Sequence, residues 1–287
     1  MEPKLTRFQG FEGIHLAADV WGDAGAWPVL FMHGGGQTRH AWDATARTLA
    51  ERGWKAVSLD LRGHGDSEWA LNGDYSFTSF TADCIAVVDQ LGRPAVLVGA
   101  SLGGITALLA EGASDRVVSS ALVIADITHR PSPQGIQRIL SFMKSGLNGF
   151  SSLEEAAAAI AAYTPNRPRR VNPPGLMKVL RQRKDGRWYW HWDPILIDRG
   201  RTEVPRAQYE ALLETALSNI RVPTLLVRGK LSDVVTEEGA RDFLRRIPGS
   251  KLVDVSGAAH MVAGDRNDPF SQAVIDFLER DVRPKLP

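Results

Sequence analysis

Six short apolar runs punctuate the chain, and each ends at a glycine or a polar turn. They are Pro28–Met32, Lys55–Leu59, Ala95–Val98, Val117–Ala125, Pro223–Val227 and Lys251–Val255. They are rich in β-branched residues and mostly lack polar alternation, which predicts strands covered on both faces. Between them lie segments with apolar positions at helical spacing. Helices are expected at Phe77–Leu91, Leu102–Ala110, Glu237–Ile247 and Pro269–Arg280. Pro248-Gly249 stops the third, and Pro269 sits in the first turn of the fourth. Strand-helix alternation of this kind gives a mostly parallel sheet with right-handed crossovers, and ligands collect at the carboxyl ends of its strands.

One stretch breaks this rhythm. Residues 131–218 contain no convincing buried strand. An alanine-rich helix at Leu153–Ala162 is followed by Pro165–Pro174, rich in proline and arginine, and by Trp188-Tyr189-Trp190-His191-Trp192. Another helix is expected around Pro205–Ser218. The division is therefore a core of residues 1–130 and 219–287 with a helical cap insertion, 131–218, over the carboxyl edge of the sheet.

Composition adds mainly exclusions. Apolar residues make up 44% of the 287 and charged residues 23%, an ordinary balance for a folded chain. A net charge of +1 gives no field to draw nucleic acid or acidic lipid. Arg167, Arg169 and Arg170 read as a solvated loop. Cys84 is the single cysteine, so an intramolecular disulfide is excluded. The first ten residues do not form a secretory signal, and no apolar run approaches the roughly 20 residues a bilayer span needs. The expectation is a cytoplasmic protein with a small-molecule substrate, without nucleic-acid or membrane partners, and compatible with a homodimer.

Gly99-Ala100-Ser101-Leu102-Gly103 fits G-x-S-x-G. The pattern alone is weak, and Gly65-Asp66-Ser67 and Gly112-Ala113-Ser114 are near misses. What distinguishes Ser101 is its place between an apolar strand and a helix, the context this motif requires. A serine hydroxyl attacks well only with a base in reach and an acid that orients the base. Of seven histidines, His260 follows the last strand in a loop of small residues. Asp233, after the Pro223–Val227 strand, is the favoured acid. Asp126, at the end of the preceding strand, is its competitor and otherwise reads as a cap or turn aspartate. Asp60 reads as part of a turn held by its own hydrogen bonds. Either acid keeps the order serine, acid, histidine.

Acyl transfer also needs N–H donors aimed at the oxyanion. The backbone of Leu102 supplies one, and His33-Gly34-Gly35-Gly36 supplies the other, with Gly35 favoured and Gly36 as the alternative. A phosphate loop does not fit, because Arg39 stands where a third glycine belongs and Gly229-Lys230 lacks the nucleotide-loop spacing. No histidine and carboxylate grouping shows metal-ligand spacing, so no metal is expected.

With these residues in place the chain resembles the α/β-hydrolase superfamily over essentially its whole length. Asp60-Leu61-Arg62-Gly63-His64-Gly65-Asp66-Ser67, and His33-Gly34-Gly35-Gly36 followed by Trp42, are similar to cap-bearing members related to esterases, epoxide hydrolases and haloperoxidases. The resemblance implies the α/β-hydrolase fold and no cofactor. Epoxide hydrolases and haloalkane dehalogenases of that family use aspartate at the elbow, so Ser101 argues against both. The expected activity is hydrolysis of a small, mainly apolar carboxylic ester through an acyl-enzyme. Carbon–carbon bond hydrolysis, lactone opening and perhydrolysis use the same constellation. A ligand receptor or a cofactor-free oxygenase on this scaffold is the competing class. Trp188 and Trp190, alternating with Trp192, are candidate pocket residues together with Trp42, against the plainer reading that they pack cap to core.

Overall fold

A computed structural model describes residues 1–164, 173–198, 206–258, 260 and 268–286. The Arg167, Arg169 and Arg170 cluster and Pro205 lie outside the described residues.

An eight-stranded sheet runs through the molecule. Its strands are β1 (Lys4–Gln9), β2 (His15–Trp21), β3 (Pro28–Met32), β4 (Lys55–Leu59), β5 (Ala95–Ala100), β6 (Ser119–Ala125), β9 (Thr224–Gly229) and β10 (Lys251–Val255). A separate hairpin pairs β7 (Leu180–Gln182) with β8 (Trp188–Trp190). The order across the sheet is β1-β2-β4-β3-β5-β6-β9-β10. The six strands from β4 to β10 are mutually parallel, while β2 runs antiparallel to β4 and β1 antiparallel to β2. The six apolar runs are those six parallel strands.

The first two strands escape a search for apolar runs. In β1 only Phe8 is buried, because this strand forms the sheet's edge and the rest of it faces water. β2 mixes His15 and Asp19 among its apolar residues. Its carboxylate and backbone are used locally rather than packed in oil: Asp19 is buried against Arg39, and the Ala17 N–H donates to Ser67 Oγ at 2.8 Å.

Helices cover both faces. On one side lie α2 (Phe77–Leu91), α3 (Leu102–Gly112), α7 (Arg206–Asn219) and α8 (Glu237–Arg246). On the other lie α1 (Asp43–Glu51) and α9 (Asp268–Phe277). The ends are chemically marked. Ser76 caps α2 by accepting from Ser79 N–H, and Gly92 closes it at φ +80°. Thr236 caps α8, whose first turn is acidic and last turn basic, matching the helix dipole.

The insertion carries α4 (Pro133–Ser145), α5 (Leu153–Tyr163), the β7–β8 hairpin and the short α6 (Ile195–Asp198). Two features depart from the sequence reading. The tryptophan-rich stretch, whose alternation suits extended chain, forms strand β8 of a hairpin inside an insertion expected to be helical. The last helix of the 131–218 segment, α7, packs on core helix α3, with the Ala216 carbonyl pressed against Gly112. The insertion meets the core at loops that follow carboxyl ends of strands, among them the loop after β3, where the Thr38 hydroxyl donates to Lys178 O at 3.0 Å. After β4, Gly65 N–H donates to His191 O at 2.7 Å and Asp193 N–H to Gly63 O at 2.8 Å. The Tyr75 hydroxyl donates to Asp193 at 2.6 Å across the same junction. After β9, Ser132 N–H donates to Val234 O at 2.9 Å, and Arg138 pairs with Asp233 at 3.0 Å.

Asp60 anchors the turn after β4, where it is fully buried. It accepts from Asp66 N–H at 2.9 Å and from Arg39 N–H at 2.6 Å, and pairs with the Arg39 guanidinium. The turn is thus held partly by its own hydrogen bonds and partly by an arginine from the loop after β3.

Candidate active site

Ser101 follows β5 directly and precedes the first turn of α3. Its backbone lies at φ 46°, ψ −108°, a conformation that L side chains rarely adopt. Small residues make the turn sterically feasible. A Cβ on Gly99 would stand 2.2 Å from the Gly103 carbonyl oxygen, and one on Gly103 would stand 2.4 Å from the Met32 carbonyl oxygen. Strand, helix and the neighbouring strand therefore approach closer than any side chain allows.

The acid expected at Asp233 is corrected by the geometry. His260 Nδ1 lies 3.0 Å from Asp126 Oδ2. The Asp233 side chain instead turns outward to Arg138, where both partners are exposed. The physical reason lies in the loop after β9. Lys230 N–H donates to Val255 O and Leu231 N–H to Ala258 O, so the loop is stitched to the segment after β10. Ser232 N–H closes a tight turn onto Gly229 O. This arrangement points Ser232 inward to Asp126 and leaves Asp233 at the surface.

Register explains why Asp126 is well placed. Ala100 and Ala125 are partners on adjacent parallel strands. Ser101 and Asp126 each come one residue later, and Ser101 N–H donates to Ala125 O at 3.1 Å. Asp126 is 1% exposed, and its φ is also positive, at 47°. Its Oδ1 accepts from Gly229 N–H at 3.0 Å, and its Oδ2 from the Ser232 hydroxyl at 2.6 Å. A carboxylate facing Nδ1 makes that nitrogen the donor of the ring. Nε2 then carries the free lone pair a general base needs.

The loop after β3 shows which amides are already committed. Gly34 N–H donates to Gln37 Oε1 at 3.0 Å, and Gly36 N–H to His64 Nε2 at 3.2 Å. Gly103 N–H donates to His33 O at 3.2 Å. The amides of Gly35 and Leu102 have no acceptor among the described residues. Gly34 stands beside Ser101, since a Cβ built on it would lie 3.5 Å from Ser101 Cβ. His33 and His64 are both fully buried, with ring centroids 4.9 Å apart. His33 Nδ1 donates to Gly34 O at 2.8 Å while Nε2 accepts from Leu61 N–H at 3.0 Å. Burial lowers the pKa of His33 and keeps it neutral, as that bonding requires.

The aromatic candidates divide. Trp42 is corrected: it is 1% exposed and packs between Phe31 and Phe270, at centroid distances of 5.3 and 5.6 Å, in the core on the α1 and α9 side. Trp190 is also buried, edge-on to Phe150 at 5.4 Å and to Phe142 at 5.7 Å, within the insertion. Trp188 is half-buried and pairs its backbone with Phe150. Sequence reasoning missed Met143 of α4, whose side chain lies in contact range of Gly36 and so borders the loop beside the serine. No motif marks it; only the folding of α4 onto the loop reveals it.

For a metal, Asp19, His40 and Asp43 bring ligand atoms within 4.8 Å of one another. Their charges are already met: Arg39 pairs with Asp19, and Lys178 pairs with Asp43 at 2.8 Å.

A positive-φ serine between a parallel strand and a helix, a histidine held by a buried carboxylate and two uncommitted amides beside them define an α/β hydrolase. The chain belongs to the alpha/beta hydrolase family, whose model matches residues 29–273. An esterase from Mycobacterium tuberculosis is 32% identical, over 96% of this chain and 90% of that protein. A 3-hydroxybutyrate-oligomer hydrolase from Cupriavidus necator is 28% identical, over 86% of this chain and 88% of its own. Among solved structures, E-2-(acetamidomethylene)succinate hydrolase superposes with a TM-score of 0.82 at 20% identity, covering 96% of this chain and 99% of that one, and so shares the fold.

Proposed function

We propose that this protein is a serine esterase that hydrolyses small, mainly apolar carboxylic esters, with Ser101 as nucleophile, His260 as base and Asp126 as the orienting acid. Ester cleavage is the activity named for the Mycobacterium tuberculosis relative. The observation that carries the reading is the Asp126–His260 contact at 3.0 Å, formed one residue beyond the strand that pairs with the serine's own.

In this reaction Ser101 Oγ attacks the ester carbonyl carbon while its proton passes to His260 Nε2. The carbonyl oxygen becomes an oxyanion, and Leu102 and Gly35 N–H groups receive it. Each such donor is worth roughly 3 kcal/mol in the transition state. The tetrahedral intermediate collapses, and His260 returns the proton to the departing alkoxide, which leaves as the alcohol. Water then attacks the acyl-enzyme, its proton goes to His260, and the acid is released as Ser101 recovers its hydrogen. Throughout, Asp126 holds the ring and stabilises the imidazolium. The apolar preference rests on Met143, which borders Gly36 in the loop after β3.

Turnover of an aryl ester, together with labelling by a fluorophosphonate, tests this. Ser101→Ala should lose both. Wild-type turnover in Ser101→Ala would overturn the assignment.

A further inference from the structure

The acid of the site is itself held by a side chain with no freedom left. A serine hydroxyl offers one proton and two lone pairs. Ser232 Oγ receives Val234 N–H and Val235 N–H, each at 3.1 Å. Both lone pairs are engaged, so the proton is directed to Asp126 Oδ2, 2.6 Å away. The same oxygen faces His260 Nδ1 at 3.0 Å, and Oδ1 is fixed by Gly229 N–H at 3.0 Å. Three donors from three directions stop the carboxylate from turning about its own bond.

We propose that Ser232 is a positioning residue, whose hydroxyl, locked by the Val234 and Val235 amides, aims Asp126 at His260 and sets how strongly that carboxylate attracts the imidazolium. The proposal rests on the reading of Asp126 and His260 given above. It makes the loop after β9 part of the machinery through Ser232, while its neighbour Asp233 serves only the surface.

The chemistry has a definite sign. A hydroxyl donor withdraws charge from Oδ2. Without it, more negative charge faces Nδ1 and the protonated ring is favoured. The ascending limb of kcat/KM against pH reports deprotonation of the base, so that limb moves to higher pH. Among the described residues, the other charged groups near Asp126 are Arg228 of β9, bound to Asp254 of β10 at 2.7 and 3.0 Å, and, beyond Arg228, Glu237 of α8. A change at Ser232 alters none of these charges. General loosening of the loop, by contrast, lowers kcat at every pH and leaves the limb in place.

The experiment compares Ser232→Ala, Ser232→Thr and Ser232→Cys with wild type on an aryl ester from about pH 5 to 9. The alanine variant should lose about tenfold to a hundredfold in kcat, with its limb about half a unit to one unit higher. Threonine keeps the hydroxyl and should restore both. Cysteine keeps an atom against the two amides but donates weakly, and its limb should fall between those of alanine and wild type; it decides the matter if the alanine protein does not fold. A limb coincident with wild type in the alanine variant, or in cysteine where alanine fails to fold, overturns the proposal. Asp126→Asn, run alongside, separates the two levels. If it is crippled while the Ser232 limb stays put, only the Ser232 role falls. If it is fully active, the Asp126 assignment falls and the Ser232 role with it.

Discussion

Ser101 and Asp126 occupy equivalent places at the ends of paired strands, and both lie at positive φ, 46° and 47°. Neither is glycine, so each conformation costs roughly 1–3 kcal/mol, which the surrounding structure must offset. Strain at two adjacent strand ends, one bearing the proposed nucleophile and the other a buried carboxylate, is the pattern expected where side chains must be aimed rather than packed.

The first prediction concerns the acid. Asp126→Asn keeps shape but loses the charge that holds His260. It should lower kcat about 10³- to 10⁴-fold with a small change in KM. Asp233→Asn removes only an exposed pair with Arg138, and exposed pairs are worth about 1 kcal/mol or less. Its kcat/KM should stay within about twofold of wild type. Steady-state kinetics on one aryl ester decides this, and the reverse ranking would restore Asp233 as the acid.

A second prediction follows from the strain at Ser101. Its φ and ψ match those of the first central residue of a type II′ turn, a glycine position. Ser101→Gly should therefore relieve strain, partly offset by the greater freedom of glycine in the unfolded chain. The expected result is an inactive protein about 1 kcal/mol more stable, with a Tm about 1–2 °C higher. A lower Tm in calorimetry contradicts the strain argument.

Much of this fold was legible because parallel strands buried on both faces read as unbroken apolar runs, as Ala95–Ala100 and Ser119–Ala125 do. Ser101 was legible for the same reason: its motif begins where such a run ends. Asp126 also stands directly after its apolar run, but the sequence favoured Asp233, because the run before Ser101 reads as ending at Val98. The equal offset of Ser101 and Asp126 from their strand ends emerges only from the pairing of β5 with β6. The inward turn of Ser232 was not readable, because it depends on hydrogen bonds between the loop after β9 and the segment after β10. Trp42 misled because motif proximity says nothing about which face of the sheet a side chain enters. β1 was missed because an edge strand needs few apolar residues, and β2 because His15 and Asp19 interrupt its apolar positions.

The third prediction is one of pH. His191 lies at the junction between the insertion and the turn after β4, and its carbonyl accepts from Gly65 N–H. Burial first, and the Arg181 charge second, push its pKa down from 6.5 to about 4. The folded protein therefore holds it neutral, while the unfolded chain protonates it below about pH 6.5. Stability is fully present above that value and falls as pH drops toward about 4, by at most about 3 kcal/mol from this residue. His33 and His129 are also pushed down, mainly by burial, and act in the same direction. His191→Gln should flatten part of the acid-side decline in Tm between about pH 6.5 and 4. An unchanged slope would show that His191 is not among the groups responsible.

The last prediction addresses specificity. Met143 is 4% exposed and reaches from α4 to Gly36, where its Cε lies 3.1 Å from the place a Cβ would take. Gly36 is fixed by His64, so the loop cannot yield, and the flexible thioether is the adaptable partner in this contact. Met143→Ala opens space next to Gly35 without touching Ser101, Asp126 or His260. For the shortest acyl esters the reacting atoms stay where they are, and kcat should change by less than about threefold, with KM rising through lost contact. For longer or branched acyl groups the new space accepts about one or two further methylenes, each worth about 0.8 kcal/mol. Their kcat/KM relative to acetate should rise about fourfold to fifteenfold. Met143→Leu keeps the volume and should hold the wild-type order of substrates. A p-nitrophenyl ester series from acetate to octanoate measures all three proteins. Parallel chain-length profiles for wild type and Met143→Ala would place the acyl group elsewhere, because a wall of the acyl pocket cannot be removed without altering which chains fit.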